Sequence, residues 1–209
     1  MAAPRAKPTN GSALPADELG SLAQRDRRKR ILDATLALAS KGGYDAVQMR
    51  TVAERADVAL GTLYRYFPSK IHLLVSAMAR ELEGVRERTA RIPVPGETPY
   101  DRLMFILSRI TKAMQRDPQL TEAMTRAFMF ADASAAAEVD TVGRLMDRMI
   151  ARALTDAEPT EEQLAISRVI SDVWMANLVA WVTRRASAND VADRLELTIG
   201  LLLGVHRSS

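Results

Sequence analysis

The sequence predicts an all-α protein of about nine helices, with a three-helix N-terminal domain and a larger C-terminal helical domain. Apolar residues recur every three or four positions along most of the chain, which is the spacing of one buried helix face. Ser, Thr and Asp stand at positions typical of helix starts, and the 209 residues show no strand-like alternation of apolar and polar residues. A composition of 47% apolar but only 5% aromatic residues agrees with this class.

The N-terminal residues 1–22 are rich in Ala, Pro, Gly, Ser and Thr and have no amphipathic period, so we predict a mobile tail. A first helix is predicted over residues 24–40, because Ile31, Ala34 and Leu38 recur at helical spacing on one side. Gly42 and Gly43 then end this helix, since glycine readily adopts the backbone angles found beyond a helix end.

Two short helices joined by a tight turn follow the first helix. Met49, Val52 and Ala53 recur at helical spacing and define the inward face of one helix. Asp57 then interrupts the pattern, and Asp is one of the few residues that tolerate a left-handed turn position. Another helix begins near residue 60, with Leu63 facing inward. The pattern predicts a helix-turn-helix.

The exposed face of the second short helix suits contact with a DNA duplex. Gly61 leaves room for a groove wall, and Thr62 and Arg65 can reach base edges. Tyr64 and Tyr66 offer hydroxyl groups to phosphate oxygens. The alternative interpretation is that the tyrosines simply pack a small helical core.

The next helix is predicted to begin at Ser69, which follows the helix-breaking Pro68 and acts as the N-cap. Lys70 in its first turn is placed to bind a phosphate. The charges support contact with DNA: the chain carries a formal +3, and residues 25–72 hold ten Lys or Arg against five Asp or Glu. The cationic run at residues 25–30 includes Arg28 and is interpreted as a phosphate or minor-groove contact, with a solvated helix start as the alternative.

The residue types exclude several chemistries. The chain has no cysteine, so disulfides and thiolate metal sites are excluded. It has two histidines, His72 and His206, which are too few to favour a zinc site or a histidine-dependent catalytic triad. We predict no metal, no cofactor, no catalytic residues and no enzymatic activity. No segment reaches the 18 to 20 apolar residues of a membrane span, and no apolar signal core is found, so a cytoplasmic protein without membrane contact is expected.

The sequence divides into a tail at residues 1–22, a DNA-binding domain at 23–70 and a helical domain at 71–209. The helix from Ser69 runs to about residue 89 and ends before a connection rich in Pro and Gly. At least five further helices are expected in residues 98–203. Four of their starts are marked by N-cap residues followed by Pro or an acidic or amide side chain, at Thr98, Asp117, Thr160 and Ser187.

Two of the late helices are too apolar to face one core. The helix over residues 160–184 carries apolar side chains such as Val169 and Val173 around most of its circumference, and the last helix adds Leu197, Leu201 and Leu202. We therefore predict that they pair with a second copy of the chain to form a homodimer. The alternative is a central helix buried within one subunit.

The segment GGYDAVQMRTVAERADVALGTLYRYFPSKIHLL resembles the tetracycline-repressor (TetR) family of bacterial transcriptional regulators. The resemblance implies a homodimer that places two recognition helices in successive major grooves of a near-palindromic operator. The implied DNA contacts are Arg50, Leu60, Gly61, Thr62, Tyr64, Arg65, Tyr66 and Lys70. Two positions depart from the family pattern: Asp57 stands where a turn glycine is common, and Ala59 stands where a capping serine is common.

Three other segments, beginning at RRKRILDATL, LTEAMTRAFM and VISDVWMANL, resemble actinobacterial regulators of sterol catabolism. The resemblance implies a small apolar effector, the acyl-CoA thioester of a steroid acid, that swings the helix from Ser69 and lowers DNA affinity. Flexible and aromatic side chains on the middle and late helices suit such a ligand. The candidate pocket residues are Met104, Phe105, Met114, Met124, Phe128, Met146, Met149, Trp174, Leu178 and Trp181.

Several alternatives stay open at this stage. The candidate pocket residues are also what an ordinary bundle core requires. An alternative effector is another apolar molecule, which applies if the regulator controls efflux or fatty-acid genes. Two other classes are a helical enzyme using Asp132, Glu138 or Asp140, and a DNA-binding protein without a ligand. The residues do not specify the operator, the number of dimers on it, or whether the regulator represses or activates.

Overall fold

The computed structural model describes residues 21–204 and contains nine α-helices there, with no strand in that range. This confirms the predicted all-α class. The helices are α1 Leu22–Ala46, α2 Met49–Arg55, α3 Leu60–Tyr66, α4 Lys70–Thr89, α5 Pro99–Arg116, α6 Pro118–Met129, α7 Ala136–Leu154, α8 Glu161–Val182 and α9 Ala188–Leu202. A short 3₁₀ turn, Ala133–Ala135, precedes α7.

Helix α1 starts slightly earlier than predicted and breaks where predicted. The Ser21 side chain accepts a hydrogen bond from the backbone N–H of Gln24, so Leu22 is the first helical residue. Gly42 and Gly43 have non-helical backbone angles, and Gly43 has φ +67°. The predicted tail lies outside the described residues except for its last two positions, and His206 also lies outside them.

The predicted helix starts are confirmed. Thr98, Thr160 and Ser187 each form a complete capping box, in which the cap side chain and the residue three positions later satisfy each other's backbone N–H groups. Asp117 caps α6, and Ser69 caps α4. These caps satisfy donors that the first helical turn leaves without intrahelical partners.

One continuous core joins the N-terminal helices to the C-terminal ones. Leu63 and Phe67 are fully buried beside α1, and Ile170 and Trp174 are buried at the other end of the molecule. The closest helix pairs are α1 with α6, α4 with α7, α7 with α8, and α8 with α9. Because α1 packs on α6 and α4 packs on α7, the helix-turn-helix is held by two helices of the C-terminal domain.

Helix α8 corrects one prediction from the sequence. Its 22 residues and mean hydropathy of 1.2 make it, by length and composition, the one helix within residues 21–204 that is capable of spanning a membrane. The expectation that no segment reaches this length was therefore wrong. The physical reason is that α8 carries apolar side chains both on the side that packs against α6, α7 and α9 and on the side that stays exposed, so only 28% of its apolar window is buried.

Candidate nucleic-acid interface and cavity

The turn between α2 and α3 is fixed by backbone and side-chain contacts. Asp57 has φ +53°, which is the left-handed position predicted for it. The backbone N–H of Val58 bonds to the Ala53 carbonyl at 3.0 Å. Arg30 from α1 donates to the carbonyl of Ala56 at 2.7 Å, so one cation of the basic run neutralises the C-terminal end of α2. The turn therefore holds α3 in one orientation.

The outer face of α3 carries the residues that the sequence assigned to DNA. Leu63 is fully buried and anchors the helix, whereas Gly61 and Arg65 are exposed and Thr62 is half-buried. Tyr64 is 46% exposed and Leu60 is 38% exposed. These residues form one accessible surface on a helix whose opposite side is locked in the core.

Neither short helix has a side-chain cap at its start. Ala59 at the start of α3 accepts backbone bonds from Thr62 and Leu63 but has no side chain to offer, as predicted from the missing serine. Gln48 at the start of α2 also provides no side-chain cap. These two helices therefore depend on packing rather than on capping.

Tyr66 is not on the outer face, and the prediction that its hydroxyl faces outward was wrong. The side chain is 2% exposed, and its hydroxyl accepts a weak hydrogen bond from Arg27 at 3.5 Å. Tyr66 follows Leu63 by three residues, which places both on the same side of a helix. The spacing in the sequence was therefore enough to identify Tyr66 as a core residue.

Arg28 is half-buried and its guanidinium turns inward rather than toward an open surface. Its guanidinium lies 5.4 Å from the centre of the Phe67 ring, and its Nε atom is buried without a hydrogen-bond partner. Burial lowers the pKa of Arg28, and the neighbouring Arg80 adds to that effect. Arg28 precedes the buried Leu32 by four residues, so it shares the inner face of α1. The predicted phosphate contact of Arg28 is not supported.

Two further predicted DNA contacts, Arg50 and Lys70, lie outside α3. The Arg50 side chain is 84% exposed and makes a long, solvent-screened pair with Glu54 at 3.6 Å. The Lys70 ammonium lies 3.7 Å from the centre of the Tyr44 ring, a cation–π contact. Partial burial lowers the pKa of Lys70. Lys70 thus already interacts within the protein.

His72 links the start of α4 to the 3₁₀ turn of the C-terminal domain. Its Nε2 atom is 3.0 Å from the Ser134 carbonyl, and because a carbonyl can only accept, Nε2 carries the proton and donates it. Its Nδ1 atom is 2.8 Å from the Ser69 hydroxyl. The ring is 3% exposed. His72 is therefore a structural connector, a role that its position beside Ser69 and Lys70 does not reveal in the sequence.

A cavity of about 520 Å³ lies between α6, α7 and α8. Its apolar wall includes Phe128, Met146 and Trp174, and its charged side includes Arg144 and Arg168. Asp147 accepts a hydrogen bond from the Ser171 hydroxyl at 3.1 Å and pairs with Arg168 at 3.7 Å. The complete lining is Phe128, Val139, Asp140, Val142, Gly143, Arg144, Met146, Asp147, Arg168, Ser171, Asp172, Trp174 and Met175.

Three of the ten predicted pocket residues line this cavity, namely Phe128, Met146 and Trp174. The other seven do not line it: Met104, Phe105, Met114, Met124, Met149, Leu178 and Trp181. Asp140, one of the three acidic residues named from the sequence, also lines the cavity, but sequence reasoning missed the rest of the charged lining, including Asp147 and Arg168. The sequence signal for these residues is their spacing. One face of α8 carries, at three- and four-residue intervals, Arg168, Ser171, Asp172 and Met175.

Two family models match the chain in two separate segments. Residues 31–77 match "Bacterial regulatory proteins, tetR family", which covers the helix-turn-helix and the start of α4. Residues 96–202 match "Tetracyclin repressor-like, C-terminal domain", which covers α5 to α9. The second match alone spans half of the chain.

Relatives and solved structures agree with the family models. The HTH-type transcriptional repressor KstR of Rhodococcus jostii is 72% identical over 96% of this chain and 93% of its own length. A TetR transcriptional regulator from Rhodococcus sp. RHA1 is 34% identical, covers 90% of this chain and 100% of its own, and superposes with a TM-score of 0.77. Thermus thermophilus FadR, solved with lauroyl-CoA, is 22% identical, covers 87% and 96% of the two chains, and has a TM-score of 0.66.

The exposed face of α3, the turn that orients it and the helical domain behind it match these regulators in sequence and fold. The relatives are named as transcriptional repressors, which are not enzymes. The chain belongs to the TetR family of DNA-binding transcriptional regulators.

Proposed function

We propose that this protein is a cytoplasmic, ligand-responsive repressor that binds a near-palindromic operator as a homodimer, controls sterol catabolism genes, and is released by a steroid acyl-CoA thioester. The observation that carries the proposal is the outer face of α3, which stays exposed while Leu63 fixes the helix from its inner side. We assign DNA reading to residues 23–70, and effector binding and dimerisation to residues 71–209.

Gly61 supports a close external partner because the protein itself does not require glycine there. A Cβ atom built at this position meets no other atom within 4 Å. Glycine inside a helix costs about 0.5–1 kcal/mol relative to alanine. A groove wall of DNA that approaches α3 closely accounts for the residue. The proposed DNA contacts are Arg50, Leu60, Gly61, Thr62, Tyr64, Arg65 and Lys70.

Exposed apolar side chains on the last helices support a homodimer. Val169 on α8 is 45% exposed, and Leu197 and Leu201, one turn apart on α9, are 63% and 66% exposed. A second copy that pairs its α8 and α9 with these residues removes them from water. The dimer then presents two α3 helices to major grooves about 34–36 Å apart.

The cavity between α6, α7 and α8 supports a bulky, mainly apolar effector. Its volume of about 520 Å³ is within the range of small-molecule sites. Phe128, Met146 and Trp174 offer apolar contacts. Arg144 can meet a phosphate of a CoA group, whereas Arg168 already pairs with Asp147, and Asp140 and Asp172 line the cavity as well. The steroid identity rests on the resemblance to sterol-catabolism regulators and on the identity of 64–72% to KstR repressors.

A linear fatty acyl-CoA is the second candidate effector. The Thermus thermophilus relative was solved in complex with lauroyl-CoA, so this fold holds an acyl-CoA thioester in at least one other protein. The relatives at 64–72% identity are KstR repressors, whereas the protein solved with lauroyl-CoA is 22% identical. We therefore rank the steroid thioester first.

The substitution Gly61→Ala tests the DNA interface with a single methyl group. We expect it to raise the free energy of unfolding by about 0.5–1 kcal/mol, because alanine favours the helix. We also expect at least a tenfold loss of operator affinity, because the methyl group keeps the groove wall away from α3. The measurements are urea unfolding and fluorescence anisotropy with DNA from upstream of the gene.

Gly84→Ala is the matched control. It lies inside α4, where an added Cβ would meet only the flexible end of Arg88 at 3.0 Å. It should stabilise the fold to a similar degree and leave operator affinity within twofold. Equal operator affinity for Gly61→Ala and the wild type would remove α3 from the proposed interface.

Competition experiments on the operator complex separate the effector candidates. Release by a steroid-acid CoA thioester, but not by lauroyl-CoA or free CoA, is the expected result. Release by lauroyl-CoA at equal or lower concentration would replace the steroid with a fatty acid. Binding that no thioester weakens would favour a DNA-binding protein without a ligand.

A further inference from the structure

The corner that leads from α1 into α2, formed by residues 43–45 after the break in α1, is in close contact with α6. The Glu122 carboxylate on α6 accepts a hydrogen bond from the backbone N–H of Tyr44 at 2.9 Å. A Cβ atom at Gly43 would come within 2.8 Å of both Glu122 Oε2 and Gln119 Oε1. Position 43 therefore favours glycine for its φ of +67°, and a Cβ atom there would displace the ends of the Glu122 and Gln119 side chains.

Two cations surround the same corner and join it to two other helices. The Arg126 guanidinium on α6 lies 4.5 Å from the centre of the Tyr44 ring, and it also pairs with Glu122 at 3.6 Å and Asp45 at 3.5 Å. The Lys70 ammonium, at the start of α4, lies 3.7 Å from the centre of the same ring. The corner is thus a charged junction of α1, α4 and α6.

Helix α6 connects this junction directly to the cavity. Phe128 lines the cavity and lies six residues after Glu122, a distance of about 9 Å along a helix with a rise of 1.5 Å per residue. Both residues belong to one 12-residue helix without a described break. A shift of α6 caused by a ligand beside Phe128 must therefore move the carboxylate at Tyr44.

We propose that Glu122 is a positioning residue whose carboxylate, bonded to the Tyr44 backbone, couples effector binding in the cavity to the placement of the DNA-binding helices. The inference rests on the proposed function. The contact forms in one of two conformers, and it contributes to the equilibrium between the operator-binding and the effector-binding state. The buried His72–Ser134 bond is a separate connection that the substitution of Glu122 leaves in place.

The test compares Glu122→Ala and Glu122→Gln with the wild type in two titrations, one with operator DNA and one with a steroid-acid CoA thioester. In Glu122→Ala, the affinities for operator and thioester should move in opposite directions. The ratio of the two dissociation constants should change at least tenfold, equivalent to ~1.4 kcal/mol. Glu122→Gln keeps an acceptor for the Tyr44 N–H, so it should restore most of the wild-type ratio.

Glu83→Gln is the control for the lost charge. Glu83 pairs with Arg86 on the surface of α4 at 2.6 Å and lies outside the junction. Its substitution should change the ratio less than threefold. Thermal melting of all variants checks the fold.

The outcomes separate the two proposals. If the wild type keeps its operator affinity at saturating thioester, the proposed effector is wrong and the coupling role falls with it. If the wild type responds but both affinities of Glu122→Ala fall together, or the ratio stays within threefold, Glu122 is only structural. A Glu122→Gln protein as impaired as Glu122→Ala would also overturn the role of the hydrogen bond.

Discussion

Helices α3 and α8 are kept in place by opposite means. Helix α3 has seven residues, lacks a side-chain cap, and carries its proposed functional residues on an exposed face. Helix α8 has 22 residues, starts with a capping box at Thr160, and carries apolar side chains around most of its circumference. An isolated helix of seven residues is unstable in water, so α3 depends entirely on its buried side.

On α3, the residues proposed to bind a partner differ from those that stabilise the helix, whereas on α8 one residue serves both purposes. On α3, Leu63 anchors the helix while Tyr64 and Arg65 remain free to contact a partner. On α8, Trp174 is a buried core residue and also lines the cavity. Substitutions on the outer face of α3 should therefore change binding alone, whereas substitutions at Trp174 should change binding and stability together.

Trp174→Ala should give the largest effect. Truncation of a buried aromatic side chain typically costs about 3–5 kcal/mol of unfolding free energy, and the enlarged cavity should also lose affinity for the thioester. Urea unfolding and isothermal titration calorimetry measure both effects. Trp181→Ala is the matched control, because Trp181 is only partly buried and lies outside the cavity. A normal thioester affinity in Trp174→Ala would show that Trp174 stabilises the fold but does not bind the effector.

Tyr64→Phe and Tyr66→Phe form a matched pair that removes one hydroxyl on each side of α3. Tyr64 is exposed and its hydroxyl is a proposed phosphate contact, so its loss should cost about 1 kcal/mol, or about fivefold in operator affinity. Tyr66 is buried, so Tyr66→Phe should leave operator affinity within twofold. Anisotropy titrations distinguish them, and a larger loss for Tyr66→Phe would reverse the assignment of the two faces.

Ala59→Ser should give α3 the side-chain N-cap that α8 has and α3 lacks. Ala59 has φ −64° and ψ 141°, which are extended values that a capping serine also adopts. The free energy of unfolding should rise by about 0.5–1 kcal/mol, as measured by urea unfolding. Thr160, the N-cap of α8, has a similar φ of −71° and ψ of 164°. An unchanged unfolding midpoint would show that packing already fixes the start of α3.

The smallest effect concerns acid stability at the start of α5. A hydrogen bond from the Thr98 hydroxyl holds the pKa of Asp101 below its usual range. A lowered pKa in the folded state adds stability above about pH 4, the ordinary value for Asp, and this stability is lost as the pH falls. Asp101→Asn should therefore flatten the acid side of a melting-temperature profile. A profile that falls as steeply as that of the wild type would contradict this.

Local features of the sequence determined the helices and the exposed face of α3. The caps at Thr98, Asp117, Thr160 and Ser187 act through residues three positions away, so the sequence contains both partners. The left-handed Asp57 and the outward positions of Gly61 and Arg65 follow equally from local spacing. Tyr66 and Arg28 were misplaced even though their spacing from buried residues was visible, because residue type was given more weight than position.

Only the tertiary structure decided which apolar residues line the cavity and how it meets the DNA-binding helices. Met104 and Met146 look alike in sequence, yet only Met146 faces the cavity, because that choice depends on how α6, α7 and α8 pack. The contact between Glu122 and Tyr44 joins residues 78 positions apart. Helical periodicity predicts which face of a helix is buried, but it does not predict which other helix packs against that face. The Glu122–Tyr44 contact exists only because α6 packs against the end of α1.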